Sequence, residues 1–193
     1  MPSAFGKPVT TANRFGVVTA AAAQSLTLVT TLTASASASL SYTSFSSASY
    51  KSYRLVFNRI IPSTGGTNFN VQGSVDAGAN YGALWYGGTI RANNSSLWAL
   101  EVANAAQNFP ASYNSNTGSV GGIYGEIMFN YGPIAGTNPA ITGLLGDRNA
   151  SSNAIAPNIM HAVYDNVIEV NALKFLFGTG TISSGTIKIY GLT

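Results

Sequence analysis

The sequence predicts an all-β protein, a jelly-roll-like β-sandwich of about 8–10 strands preceded by an extended N-terminal arm. Three observations carry that prediction. From about Leu40 onward apolar residues recur at every second position, the period of a half-buried strand. Clusters of Gly, Pro, Asn and Asp divide this region at fairly regular intervals, as turns do in sandwiches and barrels. Apart from an Ala-rich segment near residue 20, which predicts a short helix, no window shows the i, i+3, i+4, i+7 stripe of an amphipathic helix.

The elements follow in chain order. Residues 1–33 form the predicted arm. Pro2, Gly6, Pro8 and Gly16 punctuate small and polar residues that bury too little to offset the entropy of their own ordering. A neighbouring molecule would have to order them. Lys7 and Arg14 ahead of FGVVTAAAA suggest a secretory leader, but Gln24 and several Thr interrupt the apolar run and weigh against it. Residues 34–193 form the predicted sandwich, opening with a first strand over 34–43. There Ala34, Ala36, Ala38, Leu40 and Tyr42 share one face by strand parity, so the small residues should dock in a crowded place while Leu40 and Tyr42 enter the core.

YRLVFNRI groups Tyr53, Leu55 and Phe57, and NFNVQGSV places Phe69, Val71 and Val75 opposite Asn68, Asn70, Gln72 and Ser74. Between them, Pro62 and Gly65-Gly66 supply turn chemistry, so residues 53–75 read as a hairpin with a long loop. Further strands are predicted at ALWYGGTI, SLWALEV, GIYGEIMFN, AITGLLG, NIMHAVYD and ALKFLFG, and at the closing GTIKIYGL, with Ile187 and Ile189 facing in. GTGTISSG, at 178–185, lacks the spacing of a phosphate-binding loop and precedes no helix; it reads as a hairpin loop.

Composition limits the chemistry. Charged residues make up 8% of the chain, against about a quarter in ordinary soluble domains, so the surface must be built from Ser, Thr, Asn, Gly and Tyr. Little charge repels neighbours, which suits life in an assembly or outside a cell. The net charge of +3 is scattered, with no basic run to suggest nucleic acid or a membrane surface as partner. The chain has no cysteine, which removes disulfides, Cys-based zinc sites and thiol nucleophiles. No stretch approaches the roughly twenty apolar residues of a membrane-spanning helix.

His161, the only histidine, stands four residues before Asp165, but no Gly-x-Ser-x-Gly elbow accompanies it, and its parity with Ile159 and Val163 makes it a half-buried strand residue. The six carboxylates, Asp76, Glu101, Glu126, Asp147, Asp165 and Glu169, are dispersed. DAGANY and GDRNASSN come nearest to a Ca²⁺ loop, yet each reads more simply as a turn in which Asp76 and Asn80, or Asp147 and Asn149, bond their own backbone. No metal and no cofactor is expected. A pair of carboxylates placed for glycoside hydrolysis would have to come from distant strands. Tyr81, Trp85, Tyr86 and Trp98 lie in Gly- and Asn-rich sequence, as in surfaces that stack sugar rings on aromatics while amides bond the hydroxyls. The plainer reading, and the one favoured, places Trp85 and Trp98 in the core or in subunit contacts.

Three segments, TLTASASASLSYTSF, SYRLVFNRIIPSTGGTNFNVQGSVDAGANY and FGTGTISSGTIKIYGL, resemble those of small β-sandwich virion proteins of tailed bacteriophages. The likeness covers about residues 28–81 and 175–193. It implies a structural protein at the virion surface, in head decoration, fibre or tail receptor-binding roles, commonly as a homotrimer in contact with other virion proteins. The short chain carries no collagen-like or coiled-coil shaft, which points to a capsid decoration or cement protein held by its arm and subunit contacts. The alternative is a tail-fibre or receptor-binding module that recognises host surface glycan.

Overall fold

The computed structural model describes residues 25–92, 98–117, 121–132, 137–148, 150 and 155–193. Twelve strands succeed one another without a helix among the described residues: β1 (Leu26–Ser37), β2 (Leu40–Tyr42), β3 (Ser52–Pro62), β4 (Thr67–Ser74), β5 (Trp85–Ala92), β6 (Trp98–Ala106), β7 (Phe109–Ser115), β8 (Ile123–Asn130), β9 (Ala140–Arg148), β10 (Ile155–Tyr164), β11 (Ala172–Phe177) and β12 (Ile182–Leu192). They form two antiparallel sheets arranged as a sandwich. Eight strands lie in the order β1-β12-β3-β8-β9-β10-β5-β6 and four in the order β2-β11-β4-β7. The all-β sandwich agrees with the sequence reading. The division into eight and four differs from the double Greek key of eight strands that a jelly roll implies.

The core lies between the sheets and follows strand parity. Tyr53, Leu55 and Phe57 of β3, Ile127 and Phe129 of β8, Ile141 and Leu145 of β9, and Ile187 and Ile189 of β12 face Phe69 and Val71 of β4 and Leu173 and Phe175 of β11. Phe45, Tyr53 and Phe129 meet edge-on, with ring centroids 4.7–4.8 Å apart, the arrangement that aromatic quadrupoles favour. The Tyr53 hydroxyl donates to the Ser46 carbonyl at 3.1 Å, so its polar end is satisfied as the ring is buried.

Several local expectations are corrected. The strand predicted over 34–43 is two strands in different sheets. β1 begins at Leu26 and pairs with β12 from Leu26↔Leu192 to Ser37↔Ile182; the chain then crosses, and Leu40↔Phe175 opens β2 against β11. The boundary drawn at residue 33 therefore falls inside β1. Ala34 is buried, but Ala36 and Ala38 are exposed. Ala36 adopts φ 49°, a left-handed value that breaks the alternation on which the shared face depended. Leu40 does enter the core, and Tyr42 is half-buried against Phe45. Residues 1–24, with the predicted helix near residue 20, lie outside the described residues.

Residues 53–75 are not a hairpin, since β3 and β4 belong to opposite sheets and the Pro62–Gly66 turn is an arch between them. The same holds at 178–181, between β11 and β12. Alternation marks which face a strand buries, and both faces of a sandwich bury theirs, so the pattern alone does not separate edge-paired from face-packed neighbours. Sequence periodicity does not mark β7, because Pro110 interrupts it; it is an edge strand, where proline is tolerated. Gly185 is required by close approach, because β3 bulges at Arg59 (φ 53°) against it and a Cβ would meet the Ile60 Cα at 2.8 Å.

Candidate interaction surface

The aromatic group does not assemble into one platform. Trp85 is fully buried, with its ring at 6.2 Å from Tyr164, and β4 admits it because Gly73 has no side chain: a Cβ there would lie 2.9 Å from the indole. The adjacent Tyr86 points the opposite way, outward, by strand alternation. Tyr81 lies in the loop before β5, with the Lys174 ammonium 4.1 Å from its ring centroid, a cation–π contact. Trp98 begins β6 opposite Ala92, at the other end of β5 from Trp85; its side chain lies outside the described residues.

The carboxylates are likewise separated. Asp76 makes the predicted turn. Its oxygens accept from Ser74 Oγ at 2.6 Å, the Asn80 N–H at 2.8 Å and Asn80 Nδ2 at 2.7 Å, and these bonds hold its pKa down to about 2. Asp147 is not in a turn. It sits in β9 and points inward between the sheets, where it accepts from Ser112 Oγ at 3.0 Å and from the Arg148 N–H at 2.6 Å. Burial pushes this carboxyl up, and the bonds from Ser115, the backbone and Ser112 only partly oppose that. Asn158 on β10 donates to Ser112 Oγ at 3.4 Å and extends this interior polar cluster. Its Oδ1 is buried without a partner. Glu126, one strand over from Asp147, points outward and pairs with Arg54. His161 is exposed on the outer face rather than half-buried, with Nδ1 2.9 Å from Thr142 Oγ1. Among the described residues no three potential metal ligands converge.

The outer face of the large sheet is what the sequence reading missed. Strand register places Leu100 beside Ile90, Ile90 beside Ile159, Ile159 beside Leu144 and Leu144 beside Glu126. The first four are exposed, Leu100 at 62% and Leu144 at 54%. Val102 at 70%, Met128, Tyr86 and Tyr124 add apolar surface to this field on neighbouring rows, where Gly88, His161 and Thr142 stand between Val102 and Met128. Beyond Glu126 the same row continues through Val56 and Lys188 to Thr31, so the face turns from apolar at β6 to polar at β1. A groove of about 470 Å³ opens in the field, lined by Tyr124, Glu126, Leu144 and Pro157. Gly146 creates it. It stands between Tyr124 and Pro157 in register, and a Cβ there would meet only one atom, at 3.9 Å. The signal was present in NIMHAVYD and AITGLLG, whose two parities are both apolar, but period-two reading assigns the apolar set to one face.

Among the described residues, one edge of the large sheet also lacks protective side chains. β1 offers twelve residues, LTLVTTLTASAS, with no charge or proline, devices that natural edge strands use against unwanted pairing.

The fold and this surface define an all-β sandwich whose larger sheet exposes an apolar face. Set against known protein families, characterised proteins and solved structures, the chain matches none.

Proposed function

We propose that the protein is a structural protein of a bacteriophage virion, a capsid decoration or cement protein that assembles as a homotrimer and binds the outer particle surface through its N-terminal arm and subunit contacts. Its work is adhesion, without a chemical step. The observation that carries this reading is the exposed apolar field on β9, β10, β5 and β6, since soluble chains seldom leave contiguous apolar surface uncovered unless another molecule occupies it. The resemblance of residues 28–81 and 175–193 to phage virion proteins supplies the setting.

The experiment is imaging of purified particles with the chain labelled. A decoration protein is present in numbers set by the capsid lattice. A few copies at one vertex, or none on the particle, would overturn it.

One observation favours a second reading, the glycan-binding tail module. Tyr86, Tyr164, Asp165 and Asn166 line a hollow of about 210 Å³ at the end of β5 and β10, an aromatic-plus-amide setting suited to a single sugar ring. The same images distinguish it by location.

A further inference from the structure

The row Leu100–Ile90–Ile159–Leu144 is apolar without a break and uncharged, and it can pack against the same row of a second copy. Leu100 and Val102 protrude from β6. The groove left by Gly146 is centred on β9, three strands away in the order β9-β10-β5-β6, or about 14 Å. An axis running along the strands between β10 and β5 is equidistant from protrusion and groove. Rotation about such an axis preserves position along the strands. Leu100 shares its row with Leu144, a wall of the groove, so the row Leu100–Ile90–Ile159–Leu144 of one copy meets the same row of the next in reverse order, Leu100 against Leu144, with Ile90 and Ile159 at the axis.

We propose that another copy of this chain covers the outer face of β9-β10-β5-β6, with Leu100 of each subunit packed against Leu144 at the wall of its neighbour's groove, in a ring closed about an axis parallel to the strands. The inference rests on the reading above only for the number of copies, three; the surface is argued from its own geometry. Five strands from β8 to β6 over about seven residues make a face of roughly 24 by 20 Å, near 500 Å² in plan, smaller than the ~800 Å² per partner of a standard interface, so self-association is expected to depend on concentration. Charge favours the contact. Glu126, at the rim, is already paired with Arg54 of its own chain, so closure strands no lone carboxylate.

The test compares the mass of the intact protein in solution with that of three variants, by analytical ultracentrifugation at micromolar concentration. The parent should sediment as a trimer. Leu100→Glu removes the protrusion and Gly146→Leu fills the groove where a side chain meets open space. Each should weaken self-association at least tenfold, with the β-sheet circular dichroism spectrum and cooperative melting retained. Leu28→Glu alters a residue of similar exposure at the far edge of the same sheet and should leave the mass unchanged. A monomeric parent overturns the proposal, as does a folded Leu100→Glu or Gly146→Leu protein of parental mass, or a Leu28→Glu that dissociates where those two do not. These outcomes concern the isolated chain, whereas the reading as a decoration protein fails on the particle, so either can fall without the other.

Discussion

At the residue scale, Trp85 shows how one side chain is both anchor and liability. It fills the space that Gly73 leaves, yet its Nε1 is buried with no hydrogen-bond partner, a cost of about 1–3 kcal/mol. Trp85→Ala should lose about 3–5 kcal/mol through the cavity, whereas Trp85→Phe, which discards the unsatisfied N–H along with part of the ring, should lose distinctly less. Urea denaturation of both variants checks the order, and equal losses would contradict it. Asp76 and Asp147 act in opposite senses with pH. Asp76, held at about 2, stabilises the fold above about pH 4, and this is lost as pH falls toward 2. Asp147 is raised by burial, so its contribution weakens as pH climbs above the unfolded value of 3.8. Melting temperatures across pH 2–7 should therefore show Asp76→Asn converging on the parent at the acid end. Asp147→Asn should gain on the parent toward neutrality. The Asp76 turn was readable because an Asx turn is local; the burial of Asp147 depends on β7 lying across from β9, and that is a tertiary fact.

At the element scale, β1 is held along its whole length by β12 but buries little, with Ala34 inside and Val29 and Leu32 only partly covered. Its loss would turn β12 into an edge. Removal of residues 2–24 should leave the melting temperature within a few degrees of the parent, while removal of 2–33 should lower it by roughly 5–10 °C, equivalent to about 2–3 kcal/mol for a chain of this size. Calorimetry of the two truncations decides it, and equal stability would mean that β1 contributes nothing. Most strands from β3 onward were legible, because Val, Ile, Phe and Tyr alternate there with polar residues. β1 was not, because Thr, Ser and Ala alternate without declaring a face. Its pairing is set by what lies on β12.

At the scale of the whole molecule, the sandwich was legible because its inward parities are apolar on nearly every strand, while the strand order depends on which sheet each arch enters and left no local trace. The outer apolar field was hidden for a related reason, since rows such as Leu100–Ile90–Ile159–Leu144 join residues from four strands that only register brings together. One further property follows from the edge pairing of first and last strands. The Ser25 N–H lies 3.4 Å from Thr193 Oγ1, and Leu26 is opposite Leu192. In a chain begun at Ser25, a passenger fused to either end would therefore leave from the same corner of the molecule, seven strand spacings, or about 34 Å, from β6. In that shortened chain a short linker from Thr193 to Ser25 would close the backbone into a ring, free to be reopened at an exposed turn such as Ser46–Ser49 without breaking either sheet.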